Sequence, residues 1–343
     1  FPILEYIVAI IMKITGITSP WIFRTCTLLV ALLGMFFLYK LSFLITEDWI
    51  KSLLVTMIAM TSPVYAYYFN GFIPGIPALT FAIIALYCYV KYLNNSEIRT
   101  FCFSLLFITL SVLTRMSFAV IWVALLGFEF LRILRIESTF LDKLLPVAIS
   151  IIVFLSYYFW NKHLAAEHGT LFLGKLLPAN DWADFWDRMR AAKENWQYHY
   201  FGKIHYRLFL IILVTSILYL IYKKIRFKDV ENTHDKKSLS LWIFVAVVLL
   251  GYVLFTIAMA KQFKDHDYYF IDTYFLPLLL LFIIVFKVLP RVENYKSGII
   301  AFVILIIPVV MMITNVNEMQ KKRRTIDKGR ASERTIKNYQ GSE

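Results

Sequence analysis

Apolar residues run in long blocks broken by short polar joints, without the one-sided 3.6-residue stripe of a helix that has a wet face. A helix apolar all round belongs inside a large protein or in lipid. About 20 such residues cross a bilayer. The blocks fall at roughly 21–46, 49–69, 74–94, 99–114, 117–134, 142–161, 206–223, 239–260, 269–289 and 297–315. They predict about ten transmembrane helices, preceded by a short helix over about 4–15 with Pro2 near its first turn, where a missing N–H costs little. The expected fold class is an all-α polytopic membrane helix bundle, with residues 1–315 as its membrane domain.

Composition sharpens this picture. Apolar residues make up 59% and charged residues 17% of the chain, against about 25% charged in soluble domains. The net charge of +13 raises nucleic acid as a partner. The basic residues, however, are scattered among short joints and one tail, with no basic stripe and no RNA-binding motif, so no nucleic acid is expected. Cys26, Cys88 and Cys102 all sit in apolar blocks without metal spacing. Gly-rich phosphate loops, Walker motifs and G-x-S-x-G elbows do not occur, which leaves ATP-driven transport and serine hydrolysis without support.

Charge also gives orientation. Alternate joints hold Lys40 and Lys51, Lys91 and Arg99, then Arg132, Arg135 and Lys143. The same set continues with the Lys223–Lys237 cluster and with Lys287, Arg291 and Lys296. The opposite short joints hold only Lys13, Arg24, Arg115, Lys261 and Lys264. Positive residues mark the cytoplasmic side, so the second set faces outward, toward the outside of a cell inner membrane. The basic tail, 316–343, falls outside by parity and lacks the apolar residues that would offset its ordering entropy.

Candidate chemistry collects on the outward side. The joint "KQFKDHDYYF" brings His266 and Asp267 against Tyr268 and Tyr269. Ionisable groups at the edge of hydrocarbon usually face the bundle interior or a watery cavity. The tyrosines, with Tyr65, Tyr67 and Tyr68, read by themselves first as an interfacial aromatic belt. The His266–Asp267 pair can donate to an anionic oxygen through the imidazole, or share in holding a metal ion, although two residues make no metal site. Arg115, in "LTRMS", reads either as a side chain snorkelling to the headgroups or as a guanidinium fork for a phosphate. The long joint 162–205 carries Trp182, Phe185, Trp186 and Met189 at i, i+3, i+4 and i+7 behind Asn180 and Asp181. That spacing predicts a capped amphipathic helix lying on the outer membrane face.

The order of "FPILEYIVAIIMKITG", "SPVYAYYFNGFIPGIPAL", "LTRMSFAVIW" and "HDYYFIDTYFLPLLLL" resembles the C-type membrane glycosyltransferases, nearest to the protein O-mannosyltransferase and aminoarabinose transferase group. The resemblance implies a sugar donor on polyprenyl phosphate, a membrane lipid, and transfer with inversion to a glycan, lipid or protein acceptor of the cell envelope. It implies that Arg115 contacts the donor phosphate, and that His266, Asp267, Tyr268 and Tyr269 line the substrate cavity. The family's catalytic aspartate lies in a loop ahead of the segment matching "FPILEYIVA". The expectation is therefore an incomplete, inactive piece with its catalytic residue unknown; Glu5 is the first acid present. The family often has an acid where Gly75 stands, so that role does not carry over. A lipid-linked sugar transporter or flippase, or a non-catalytic membrane scaffold, are the rival readings.

Overall fold

A computed structural model describes residues 3–135, 141–169, 176–226 and 236–291, with a few isolated positions beyond 300. The expected last span (297–315) and the basic tail (316–343) therefore lie essentially outside the described residues. The chain is helical throughout, with no strand among the described residues. In order it forms α1 (Ile3–Thr15), α2 (Pro20–Thr46), α3 (Trp49–Met60), α4 (Pro63–Tyr68), α5 (Gly75–Asn95) and α6 (Ile98–Thr114). A 3₁₀ turn at Met116–Phe118 leads into α7 (Ala119–Leu134), followed by α8 (Leu141–Glu167), α9 (Trp182–Tyr200), α10 (Lys203–Arg226) and α11 (Lys236–Ala258). The short α12 (Ala260–Phe263) and α13 (Tyr269–Asp272) precede α14 (Phe275–Val288). Six of these helices are long and apolar enough to cross a membrane, and α3, α6 and α14 are shorter apolar helices.

The block expected over 49–69 is broken in two, because Pro63 cannot donate to the preceding turn and opens α4 instead. The freed Ser62 hydroxyl donates to the carbonyl of Tyr200 at 2.7 Å. The block expected over 269–289 is broken likewise: regular helix resumes only at Phe275. Non-helical backbone at membrane depth is tolerated where protein buries it or where it lines a cavity. Both breaks occur at the same end of the bundle, joined through Tyr200, which stacks on Phe270 with ring centroids 4.2 Å apart.

Helix α5 is the most enclosed element, packed on α2 and α6, with residues such as Ile76, Ala78 and Ile83 fully buried. Helix α8 shows the reverse pattern expected in lipid. Its buried residues are Lys143 and Ser150, while Leu145, Ile152 and Phe159 are exposed. Lipid solvates apolar side chains, so the polar groups turn inward. Ser150 Oγ lies 2.7 Å from Thr109 Oγ1 and accepts from the Trp122 indole at 2.9 Å.

The joints segregate as the charge pattern predicts. At one end the Arg291 guanidinium pairs with Glu47, and the Lys51 ammonium donates to the Leu289 carbonyl. At the other end Tyr68 meets Asp267, Arg115 meets Asp272, and α9 is tied to the 258–264 stretch. That tie includes the Trp196 indole donating to the Lys264 carbonyl at 2.9 Å, and Lys261 Nζ donating to Asn180 Oδ1 at 2.9 Å.

Candidate functional site

Arg115 ends α6 in an extended conformation (φ −151°, ψ 112°). This turns its side chain off the helix axis before the 3₁₀ turn restarts the chain. Its Nε donates to Asp272 Oδ2 at 2.6 Å, and the Asp272 side chain is wholly buried. The guanidinium carbon lies 5.3 Å from the Tyr268 ring centroid and 5.6 Å from that of Tyr269. Among the described residues neither terminal nitrogen of Arg115 has a hydrogen-bond partner, and the side chain is 26% exposed. The ion pair fixes the fork by one nitrogen and leaves its two-pronged end free, the part that matches phosphate.

The remaining expected residues gather around it. Tyr268 and Tyr269 stack at 4.9 Å, and the His266 ring sits 5.1 Å from Tyr268 and 6.1 Å from Tyr269. Asp267 is buried and accepts from the Tyr68 hydroxyl at 2.8 Å. Arg115, His266, Asp267, Tyr268 and Tyr269 therefore form one neighbourhood, although His266 lies 151 positions beyond Arg115. Tyr65 does not join an interfacial belt: it is buried, stacks on Phe275 at 5.6 Å and donates to the Ala31 carbonyl.

Asp272 is the site residue that the sequence reading passed over. The signal was present in "YFIDTYF", a lone acid inside an apolar run, and such acids are functional candidates by default. Asp272 Oδ1 has no hydrogen-bond partner and points at the bare α-carbon of Gly75. A Cβ added there would collide with that oxygen. Glycine permits this close approach, and a carboxylate occupies the space where a side chain at position 75 would lie.

Other candidates lie elsewhere. Glu5 sits on α1, which packs on α2, and its buried Oε2 has no partner. His163 faces Glu167 at 3.7 Å on an exposed helix turn. His205 is buried against Phe201, with Nε2 3.1 Å from Thr61 Oγ1. Among the described residues no group of three or more His, Cys, Asp or Glu is placed to hold a metal ion. The expected amphipathic helix is α9: Asp181 Oδ1 accepts from the Asp184 N–H at 2.8 Å, while Asp184 Oδ2 accepts from the Asn180 N–H at 2.9 Å. That reciprocal bonding resembles a capping box. The Asn180 N–H, and after it Arg188, hold the Asp184 carboxyl below the usual carboxylate range. Trp182 and Trp186 stand exposed on α9.

A second buried carboxylate also escaped the sequence reading. Glu129, within the apolar α7, accepts from the Tyr89 and Tyr92 hydroxyls at 3.1 and 3.0 Å. It also pairs with Arg132 at 3.0 Å and with Lys143. Arg132 and Lys143, expected simply as cytoplasmic charges, turn inward to this acid.

The fold and the site define a multi-pass membrane protein with a cation held at one end by a buried acid and two aromatic rings. Residues 2–160 match the family model described as dolichyl-phosphate-mannose-protein mannosyltransferase. The resemblance to the C-type membrane glycosyltransferases, a family that uses lipid-linked sugars, thus holds over α1 to most of α8, a stretch that includes Gly75 and Arg115. His266, Asp267, Tyr268, Tyr269 and Asp272 lie beyond it and join through the contacts above. No curated protein and no solved structure matches the chain.

Proposed function

We propose that the protein is a glycosyltransferase of the inner membrane that takes a sugar from a polyprenyl-phosphate donor and delivers it to a cell-envelope acceptor on the outer face. In the reaction the acceptor hydroxyl oxygen bonds to the anomeric carbon as the bond from that carbon to the donor phosphate oxygen breaks. The lipid phosphate leaves with the electron pair, and the acceptor proton goes to a base. Negative charge then develops on the leaving oxygen, where preorganised donors act most strongly. Arg115 presents two free terminal nitrogens for that oxygen. Asp272 is a positioning residue that holds the fork, and Tyr268 and Tyr269 fix its plane. His266 and Asp267 border the sugar. No residue is assigned as the base, and a divalent cation stays a candidate cofactor on chemical grounds alone.

The single observation carrying this reading is the one-nitrogen tether of Arg115. An arginine serving only to neutralise Asp272 has no need to leave its forked end open beside two stacked rings. The test is transfer of labelled sugar from a polyprenyl-phosphate donor by the protein in proteoliposomes, with transbilayer movement of the donor measured in parallel. Covalent transfer that Arg115→Lys reduces at least tenfold supports the proposal. Movement of the donor without covalent transfer would instead establish a flippase.

A further inference from the structure

The segment from Met259 to Tyr274 is a partition with two faces. One face carries Tyr268, Tyr269 and Asp272 against Arg115. The other face carries Phe263, Phe270 and Tyr274, which line a separate cavity of about 850 Å³ beneath α9. This volume is at the upper end of the range for small-molecule sites, well beyond what a phosphate ion alone requires.

Two features of that cavity point to its occupant. Lys193, Lys203 and Arg207 line it, and no Asp or Glu does. No ion pair is described for any of the three among the described residues. Three cations around one opening repel each other until an anion arrives. The other walls are aromatic: Tyr198, Tyr200, Tyr206 and Tyr274 join the phenylalanines. Lys203 Nζ lies 5.2 Å from the Tyr198 ring centroid, and Tyr198 meets Tyr206 edge to face at 6.5 Å. Thr256 and Gln197 add polar groups. Flat rings beside hydroxyl and amide groups suit the apolar face and hydroxyls of a sugar, while the cations suit an acid group attached to it.

We infer that the cavity beneath α9 binds an anionic sugar, a saccharide bearing phosphate or carboxylate, with its acid group on Lys193, Lys203 and Arg207 and its rings against the tyrosines. The inference extends the proposed transferase by giving it a second substrate site across the Met259–Tyr274 partition from Arg115. Binding is measured without donor or turnover, so it succeeds or fails independently of the transferase reading.

The experiment is equilibrium binding to the whole protein in zwitterionic nanodiscs, with hexose 6-phosphate, free hexose and inorganic phosphate as probes. Hexose 6-phosphate is expected to bind more tightly than either fragment and to weaken as salt rises. The triple variant Lys193→Gln, Lys203→Gln, Arg207→Gln is expected to weaken it on the order of tenfold or more, leaving free hexose unchanged. Tyr198→Ala provides an independent check should the triple variant fail to fold: it lowers hexose 6-phosphate binding and leaves inorganic phosphate alone. Equal binding of inorganic phosphate and hexose phosphate overturns the sugar assignment. Absence of binding at millimolar probe overturns the site. A second set of discs containing phosphatidylglycerol tests the lipid source: tight anionic-lipid binding that excludes hexose phosphate makes this a headgroup site, and the inference is then wrong.

Discussion

Glu129 and Asp272 are both carboxylates buried in an apolar bundle, yet they are finished differently. Each oxygen of Glu129 meets one tyrosine hydroxyl and one cation, Tyr89 with Arg132 on Oε2 and Tyr92 with Lys143 on Oε1, so both are occupied. Asp272 has one cation on one oxygen and nothing on the other. A buried polar group left unpaired costs free energy, and a fully paired network avoids that cost. The closed cluster ties α5, α7 and α8 together at the end away from Arg115. The half-open pair stands at the opposite end, where the chain is irregular between α11 and α14. Under the proposed function, the satisfied acid is structural and the open valence beside the free guanidinium fork belongs to the donor site.

The contrast can be broken by substitution, beginning with the largest effect. Glu129→Ala strands Lys143 and Arg132, and unfolding in detergent should show a loss of roughly 3–5 kcal/mol. Transfer per folded molecule should nevertheless stay unchanged, and a collapse of activity in the folded fraction would erase the distinction. Arg115→Ala strands Asp272 and should cost toward the lower end of that same range, about 3 kcal/mol, because the arginine is partly exposed. Adding Asp272→Leu should restore most of the stability by removing the lone charge, while transfer stays lost; recovery of both would reduce the pair to a structural role.

Smaller changes sharpen the same comparison. Gly75→Ala drives a methyl into the Asp272 oxygen and should cost about 1–3 kcal/mol by overpacking, with a larger effect on donor affinity than at a core glycine such as Gly34. Donor binding and thermal unfolding measured side by side decide this. Asp181→Ala removes the α9 cap and should lower local stability by about 1 kcal/mol, visible as faster amide exchange over 182–188. The Asp184 carboxyl is held low in the folded state. Its contribution is therefore present above the ordinary carboxylate value and is lost as pH falls through the depressed one, so α9 exchange should accelerate only in strong acid.

Much of this was legible in the chain. Apolar blocks long enough for a bilayer impose helices, because lipid offers no hydrogen bonds to an open backbone. The grouping of alternate joints followed from the order of the blocks, and the contacts of Glu47 with Arg291 and of Tyr68 with Asp267 place the paired joints at shared ends. Arg115 and "HDYY" stood out as polar groups at the hydrocarbon edge. Asp272 and Glu129 did not, because one acid inside an apolar run looks the same whether it meets four partners or one.

Sequence by itself determined the helical membrane class and the residue types available at the Arg115 end of the bundle. Tertiary structure alone decided which of those residues meet. Arg115 and Asp272 are separated by 157 positions, and both stand at helix ends, Arg115 where α6 stops and Asp272 in the broken Met259–Tyr274 stretch. Helix periodicity is a local property, whereas the partner of a buried charge is set by packing across the bundle.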